Sequence, residues 1–387
     1  AFFATVAATF GMGLLLFTPE HMASLSESTI YTVFAISNVL FWTRQGYFDT
    51  SSELDPLLHT WSLAVEEQFY LIWPLLLLAG FTMSRKGPAT VLLLLSIASM
   101  AAAEWLLDRD TDAAFYLTPF RMFEFCLGTT VIYLSRLNLS RGLLVDLLYL
   151  IGLGMMLWSI TQFDEATRFP GLNALVPCVG ATLVIFAGAE SRFSLIATNR
   201  PAVFIGLISY SLYLVHWPIW VFFNYWKAAE VTAGETIALI GLAILLAFLL
   251  YRFVERPFRS GGAVAQGVPT AQYGLICASF ALLIVFPASN AWAHGGWAWR
   301  IPEQSRAWIS NAKQYHTDEY GGAGFKDHMK VGKRDAEPSF LLIGDSHAKA
   351  YVVGLDEQLR AKGSSGIISI TQSCLNLPGI TRIRRGK

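Results

Sequence analysis

The sequence predicts an α-helical polytopic membrane domain that runs into the opening of an α/β unit. Three observations point there. Of 387 residues, 54% are hydrophobic and only 14% charged, against about 25% charged in a soluble globular chain. Apolar runs recur through residue 287, each near the roughly 20 residues that a ~30 Å hydrocarbon core requires. The remainder then changes to a strand–turn–helix–strand pattern, the start of a parallel sheet.

The apolar runs fall at residues 1–17, 63–81, 89–107, 116–134, 143–163, 172–189, 201–223, 232–253 and 273–287. They give about nine spanning helices, within roughly ten or eleven expected for a whole protein of this kind. Residues 29–42 are shorter and amphipathic, and read as an interfacial or re-entrant helix. The sequence starts inside an apolar run and stops soon after the α/β pattern begins. It therefore reads as an internal piece of a longer protein. The expected division is a membrane domain at 1–290, an extracytoplasmic linker or adaptor at 291–338, and a truncated α/β domain from 339 to 387.

Orientation follows from lysine and arginine. One set of alternate loops holds Arg85, Lys86, Arg136, Arg141, Arg192, Arg200, Arg256 and Arg259. The opposite set holds Arg44, Arg109, Arg168 and Lys227, mixed with Glu53, Asp55, Asp108, Asp110, Asp164, Glu165 and Glu230. The first set is expected on the cytoplasmic side, which puts Asp49 and everything after about residue 290 outside. Net charge is zero, so no nucleic-acid partner is implied. Cys126, Cys178 and Cys277 sit in apolar runs and Cys374 stands apart. No metal-ligand spacing is present, and no metal is expected.

Four constellations carry chemistry. The first is the run from Leu54 to Pro74, which places His59, Trp61, Glu66, Glu67 and Tyr70 at the start of a membrane helix. Ionisable groups in a span cost about 2.5–3.5 kcal/mol each, so they face a protein interior or a wet cavity. Glu66 and Tyr70 are i, i+4 and share a face; His59 joins them if the helix extends back. Arg121 and Glu124 on the next-but-one span are at the same expected depth. They share a face at i, i+3 and offer the α4 carboxylate either a structural ion-pair partner or part of a polar cavity. His216 lies at that depth too, and reads equally as a packing residue or a functional one. The second constellation is Gly344-Asp345-Ser346-His347, where a serine ends a strand and opens a helix. That geometry exposes a nucleophile near backbone N–H groups, but a serine N-cap looks the same. The third surrounds His216, with Trp217, Trp220 and Trp226 as an interfacial belt. The fourth is the cationic stretch at 253–259, read chiefly as a contact with anionic lipid.

Four stretches together resemble the bacterial acyltransferase-3 membrane family. They are Leu58–Pro74 (LHTWSLAVEEQFYLIWP), Thr118–Glu124 (TPFRMFE), Ser209–Pro218 (SYSLYLVHWP) and Val254–Phe258 (VERPF). The chain looks most like the O-antigen O-acetylase branch, in which an SGNH-hydrolase-like domain is fused outside the membrane. The resemblance implies a multi-pass protein of the bacterial inner membrane with a periplasmic C-terminal domain. It implies transfer of an acetyl group from acetyl-CoA, or another acyl-CoA, to a hydroxyl of an extracytoplasmic glycan such as lipopolysaccharide O-antigen. Ser346, after Asp345, matches the first block of the SGNH-like triad. The family's Arg- and His-bearing first helix and its terminal Asp-x-x-His fall outside this sequence. The expected catalytic residues are Ser346, Glu66 and Glu67; the expected substrate-binding residues are His59, Trp61, Tyr70, Arg121, Glu124 and His216. A transporter with an outer binding domain and a membrane-tethered glycan esterase are the alternatives.

Overall fold

The computed structural model describes residues 1–44, 54–84, 86–137, 139, 141–164, 166–227, 229–259, 269–303, 329–344, 346–349 and 351–370. Asp49, Glu53, Arg85, Glu165, Asp345, Cys374 and the end of the expected α/β domain lie outside them. Contacts divide the chain into Ala1–Gly296 and Trp297–Lys387.

The first unit is helical: α1 Phe2–Leu16, α2 Pro19–Val33, α3 Ser37–Thr43, α4 Thr60–Met83, α5 Gly87–Leu106, α6 Thr111–Tyr116, α7 Met122–Leu134, α8 Leu143–Gln162, α9 Leu175–Gly188, α10 Leu195–Thr198, α11 Arg200–Lys227, α12 Ala233–Leu250, α13 Arg256–Phe258 and α14 Thr270–Ala293. Among the described residues six helices are long and apolar enough to cross a membrane: α4, α5, α8, α11, α12 with its extension to Phe258, and α14. Segments 1–17, 116–134 and 172–189, expected as spans, form shorter helices. Thr118-Pro119-Phe120 makes a 3-10 turn that leaves α7 only 13 residues. Pro119 cannot donate to a continuing helix, so the break sits there.

The segment expected as one short helix at 29–42 is two. α2 starts back at Pro19, and the chain reverses at Ala35, whose φ is +55°. α3 then returns beside α2, so that Arg44 Nη1 donates to Ser24 (3.2 Å) and Ser28 (3.0 Å). Arg44 also pairs with Glu27 and, at 3.3 Å, with the buried carboxylate of Asp55. Asp55 further accepts from Ser28 and from the Leu57 N–H. This cluster pins the open end of the hairpin to the segment entering α4.

α4, α5, α7, α9 and α8 pack in series, while α1 packs on α2, α11 and α14. The α8–α9 contact is a glycine crossing. A Cβ on Gly152 would lie 2.7 Å from the Gly180 carbonyl oxygen, and one on Gly180 would lie 2.9 Å from that of Gly152. Small residues let membrane helices approach this closely.

The second unit has β1 Lys330–Gly332, β2 Pro338–Gly344, α15 Ser346–Lys349, α16 Val352–Ala361 and β3 Ser365–Ile370. Sheet order is β1-β3-β2, with β2 parallel and β1 antiparallel to β3. The strand–helix–strand pattern read from sequence thus forms a parallel pair. β1, inside the stretch read as linker, joins the same sheet. Val331, Val352 and Ile368 form the core, with Phe340, Leu342 and Leu359 against it.

Arg44→Met strands the Asp55 carboxylate in a buried place. The expected loss is about 3–5 kcal/mol at neutral pH. Burial already raises the Asp55 pKa, and Arg44 is the main group holding it down. The loss is therefore full above the folded-state pKa and shrinks as pH falls through it. Thermal unfolding of detergent-purified protein at neutral and acid pH measures this, and a pH-independent loss would contradict it.

Candidate active site

α4 carries the carboxylates. Its apolar residues Val65 and Phe69 are buried, while Ala64, Glu66, Glu67 and Tyr70 border a cavity. The Tyr70 hydroxyl donates to Glu66 as the i, i+4 spacing predicts. The cavity has a volume of about 490 Å³. The other walls are Tyr210 of α11, Phe2 and Phe3 of α1, and the end of α2 at Thr32 and Val33 with Ala35 of the turn after it. A polar cavity of that size accommodates water. Tyr210 lies in the fields of Glu67, Glu255 and Glu66 together.

The other expected site residues separate into two further clusters. His59 precedes the first helical residue of α4 and does not line the cavity. Its ring meets Tyr213 (centroids 5.2 Å) and His216 (5.6 Å, edge-on). The chain before Thr60 turns rather than continuing the helix, so the face shared by His59 and Glu66 on a helical projection is not realised. The Tyr213 hydroxyl joins Ser62 and the His59 carbonyl. His216 Nδ1 lies 2.8 Å from the Tyr213 carbonyl, so that nitrogen carries the proton. Burial, and less so the neighbouring His216, pushes the His59 imidazole down to about 3, which leaves it neutral. The backbone of Leu214 and Pro56 faces the ring and offsets part of this, but neither ring nitrogen has a well-directed hydrogen bond.

Arg121 pairs with Glu124 at 3.2 Å, and not with Glu66 as the shared depth suggested. The 3-10 turn at Thr118–Phe120 rotates Arg121 into a box formed by Trp61 (5.5 Å), Phe115 (5.5 Å) and Phe169 (5.3 Å). Cations are attracted to ring faces at such distances. Arg121 Nη1 and Glu124 Oε1 are buried and make no hydrogen bond. Trp61 therefore serves the arginine box rather than the cavity.

Sequence reasoning missed three features. Gln68 Nε2 donates to the Ala35 carbonyl (2.9 Å) and to Asn38 Oδ1 (2.9 Å), and Thr118 donates to Gln68 Oε1. Ser211 donates to Glu255 at 2.7 Å, because residues Tyr251–Glu255 form a π turn that points Glu255 inward. Tyr210 enters the cavity. The signals were present, as an amide beside two acids and as closely spaced serines and tyrosines, but an almost wholly apolar helix has no periodicity to orient them. Ser346 opens α15 directly after the β2 strand. Among the described residues no group of three histidines, cysteines or acids could hold a metal ion.

Together, long apolar helices, a partly open cavity lined by two carboxylates and an appended α/β unit define a multi-pass membrane protein with a fused domain. Residues 3–252 match the acyltransferase domain family and residues 313–387 match the SGNH domain found fused to it. The chain belongs to this acyltransferase-3 family, in its SGNH-fused branch. It is 30% identical over 267 residues to the O-acetyltransferase OatA of Staphylococcus aureus (strain NCTC 8325 / PS 47), covering 64% of this chain and 43% of that protein. It is 30% identical over 237 residues to the putative membrane-bound transacylase BcsY of Komagataeibacter xylinus, covering 60% and 59%. It is 28% identical over 266 residues to the putative peptidoglycan O-acetyltransferase YrhL of Bacillus subtilis (strain 168), covering 64% and 42%. The chain thus spans less than two thirds of each relative's length. No solved structure matches.

Glu124→Gln leaves Arg121 charged and unpaired among aromatic rings. Breaking a buried pair from one side costs about 3–5 kcal/mol. The double variant Arg121→Met/Glu124→Met is expected to recover most of that loss in thermal stability. If the pair only holds the fold, the double variant is as functional as it is stable. If it meets substrate, it folds and remains inactive.

Proposed function

We propose that the chain is the membrane core of an O-acyltransferase that moves an acyl group from acyl-CoA, foremost acetyl-CoA, to a glycan hydroxyl outside the cell. The donor is taken at the cytoplasmic face, defined by the arginine-rich loops, and the SGNH-like unit lies on the outer, periplasmic side of the inner membrane. The observation that carries this is the pair Glu66 and Glu67 in one polar cavity, within the stretch matching the acyltransferase domain family.

In the cavity step a carrier hydroxyl attacks the thioester carbonyl. Its oxygen forms a bond to the acyl carbon, its proton passes to Glu66 or Glu67, and the C–S bond breaks. The thiolate leaves and takes up a proton. Tyr70 holds Glu66 in place by its hydrogen bond. General bases of this kind are worth about 10²–10⁴-fold. The Ser346 hydroxyl of the SGNH-like unit then attacks that carrier ester, the carrier hydroxyl leaves with the proton, and the glycan hydroxyl attacks the seryl ester in turn, forming the glycan ester and returning the proton to Ser346. In this reading His59, His216, Arg121 and Glu124 bind substrate around the entry to α4, Arg121 and Trp61 acting through one box.

The acceptor is a cell-envelope glycan. O-antigen follows from the resemblance; peptidoglycan is favoured by the name of the B. subtilis relative. Mass spectrometry of both glycan fractions with and without the gene separates them, since ester is lost from the true acceptor. A gain of ester on deletion favours the esterase reading, and no change in either fraction removes the transferase.

Glu66→Gln and Glu67→Gln are each expected to lower acyl transfer in membranes, at least one of them by about 10²-fold or more, at normal protein level. Ser346→Ala is expected to abolish glycan acylation while acyl-CoA is still consumed. Full activity of the Glu66→Gln/Glu67→Gln double variant would remove the carboxylates from the mechanism, and normal glycan acylation by Ser346→Ala would remove the serine.

A further inference from the structure

One wall of the cavity that holds Glu66 and Glu67 is the end of α2, at Thr32 and Val33, with Ala35 of the helix break that follows. α2 ends at Val33, the chain reverses through Phe34-Ala35-Ile36, and α3 starts at Ser37. Inside a membrane domain, non-helical backbone persists only where protein or a cavity surrounds it and its polar groups are satisfied. Here they are: the Ala35 N–H reaches the Thr32 carbonyl at 3.0 Å and the Ile36 N–H reaches that of Tyr31 at 2.9 Å. The Ala35 carbonyl accepts from Gln68 at 2.9 Å.

Ala35 has φ +55°. In that left-handed region a Cβ crowds the following carbonyl, so glycine is the usual occupant. An alanine there retains strain that the surroundings must hold. What it adds over glycine is one methyl group, at a residue that borders the cavity along with Val33.

The clamp on this turn is Gln68, the residue after Glu67. Gln68 and Asn38 face each other as an amide pair, with Gln68 Nε2 to Asn38 Oδ1 at 2.9 Å. Asn38 Nδ2 goes on to the Tyr116 carbonyl at 3.1 Å, and Thr118 donates to Gln68 Oε1. One amide pair therefore ties three pieces together: the turn at Ala35, the carboxylate helix α4, and the break between α6 and α7. These bonds hold the Ala35 turn against α4.

Taking the cavity to be the acyl-transfer site, as proposed above, we propose that Val33 and Ala35 are specificity-determining residues that limit the length of the acyl group. Gln68, with Asn38, is the positioning residue that holds them. The ligand class is a short saturated acyl group, with acetyl admitted ahead of propionyl and butyryl. A single methylene in an apolar pocket is worth on the order of 10-fold or more in selectivity, so a one-methyl gauge suffices.

The test is a competition among acetyl-, propionyl- and butyryl-CoA in membranes of cells expressing the protein, with glycan esters counted by mass spectrometry. Ala35→Gly relieves the backbone and removes the methyl. It is expected to keep thermal stability at or above wild type and to raise the propionyl-to-acetyl ratio on the order of tenfold. Val33→Ala shifts the ratio the same way. Gln68→Met has the same length but no amide, and is expected to relax the ratio with Val33 and Ala35 unchanged. A turn that only ends a helix leaves all three ratios at the wild-type value, and that result overturns the proposal. If Gln68→Met does not accumulate, the ratio in Ala35→Gly decides alone. Wild-type transfer by the Glu66→Gln/Glu67→Gln double variant would instead overturn the cavity as acyl site, and the gauge with it. Reduced transfer by that variant with unshifted ratios in Ala35→Gly overturns the gauge only.

Discussion

Backbone polar groups in a bilayer have no water to bond, and each one left unpaired costs several kcal/mol. This chain nonetheless breaks helical geometry at residues 34–36, at Thr118–Phe120 and at Tyr251–Glu255. The breaks persist because polar side chains from neighbouring helices serve them. Gln68 and Asn38 hold the first two at once, and Ser211 meets the glutamate that the third turns inward. The interior is therefore polar where the helices are irregular. That is also where the carboxylates of α4 find a cavity rather than lipid.

Three polar clusters result. Glu66, Glu67 and Tyr70 share the cavity with Tyr210. His59, His216 and Tyr213 pack ring against ring beside it. Arg121 and Glu124 sit in an aromatic box closed by Trp61. α4 touches all three, through Glu66, Ser62 and Trp61 respectively. A single helix thus sets their spacing, and its position is fixed by Gln68 near the middle of the same stretch.

Much of this was legible in the sequence. The costly acids marked the central helix, and the i, i+4 spacing put Glu66 and Tyr70 on one face of it. The parallel β2–β3 pair followed from the strand and turn pattern. What failed was the step from depth to contact. Arg121 was placed level with Glu66, but a 3-10 turn set its azimuth, and depth along a helix says nothing about azimuth. His59 was projected onto a helix that starts one residue later. The hairpin turn was invisible because its left-handed residue is an alanine, and only glycine or asparagine signals that conformation. Gln68 was passed over because a neutral amide carries no insertion penalty comparable to that of its acidic neighbours.

The central claim is that the acyl group of the donor enters the cavity beside Glu66 and Glu67. A photoreactive acyl-CoA with a diazirine in its acyl chain, irradiated with the protein in membranes and mapped by peptide mass spectrometry, measures this directly. The account predicts labels on the α2–α3 turn, on α4 between Leu63 and Tyr70, and at Tyr210, all competed away by acetyl-CoA. Competable labels confined to the apolar groove of about 680 Å³ between α1, α11 and α12, with none in the cavity, would contradict it.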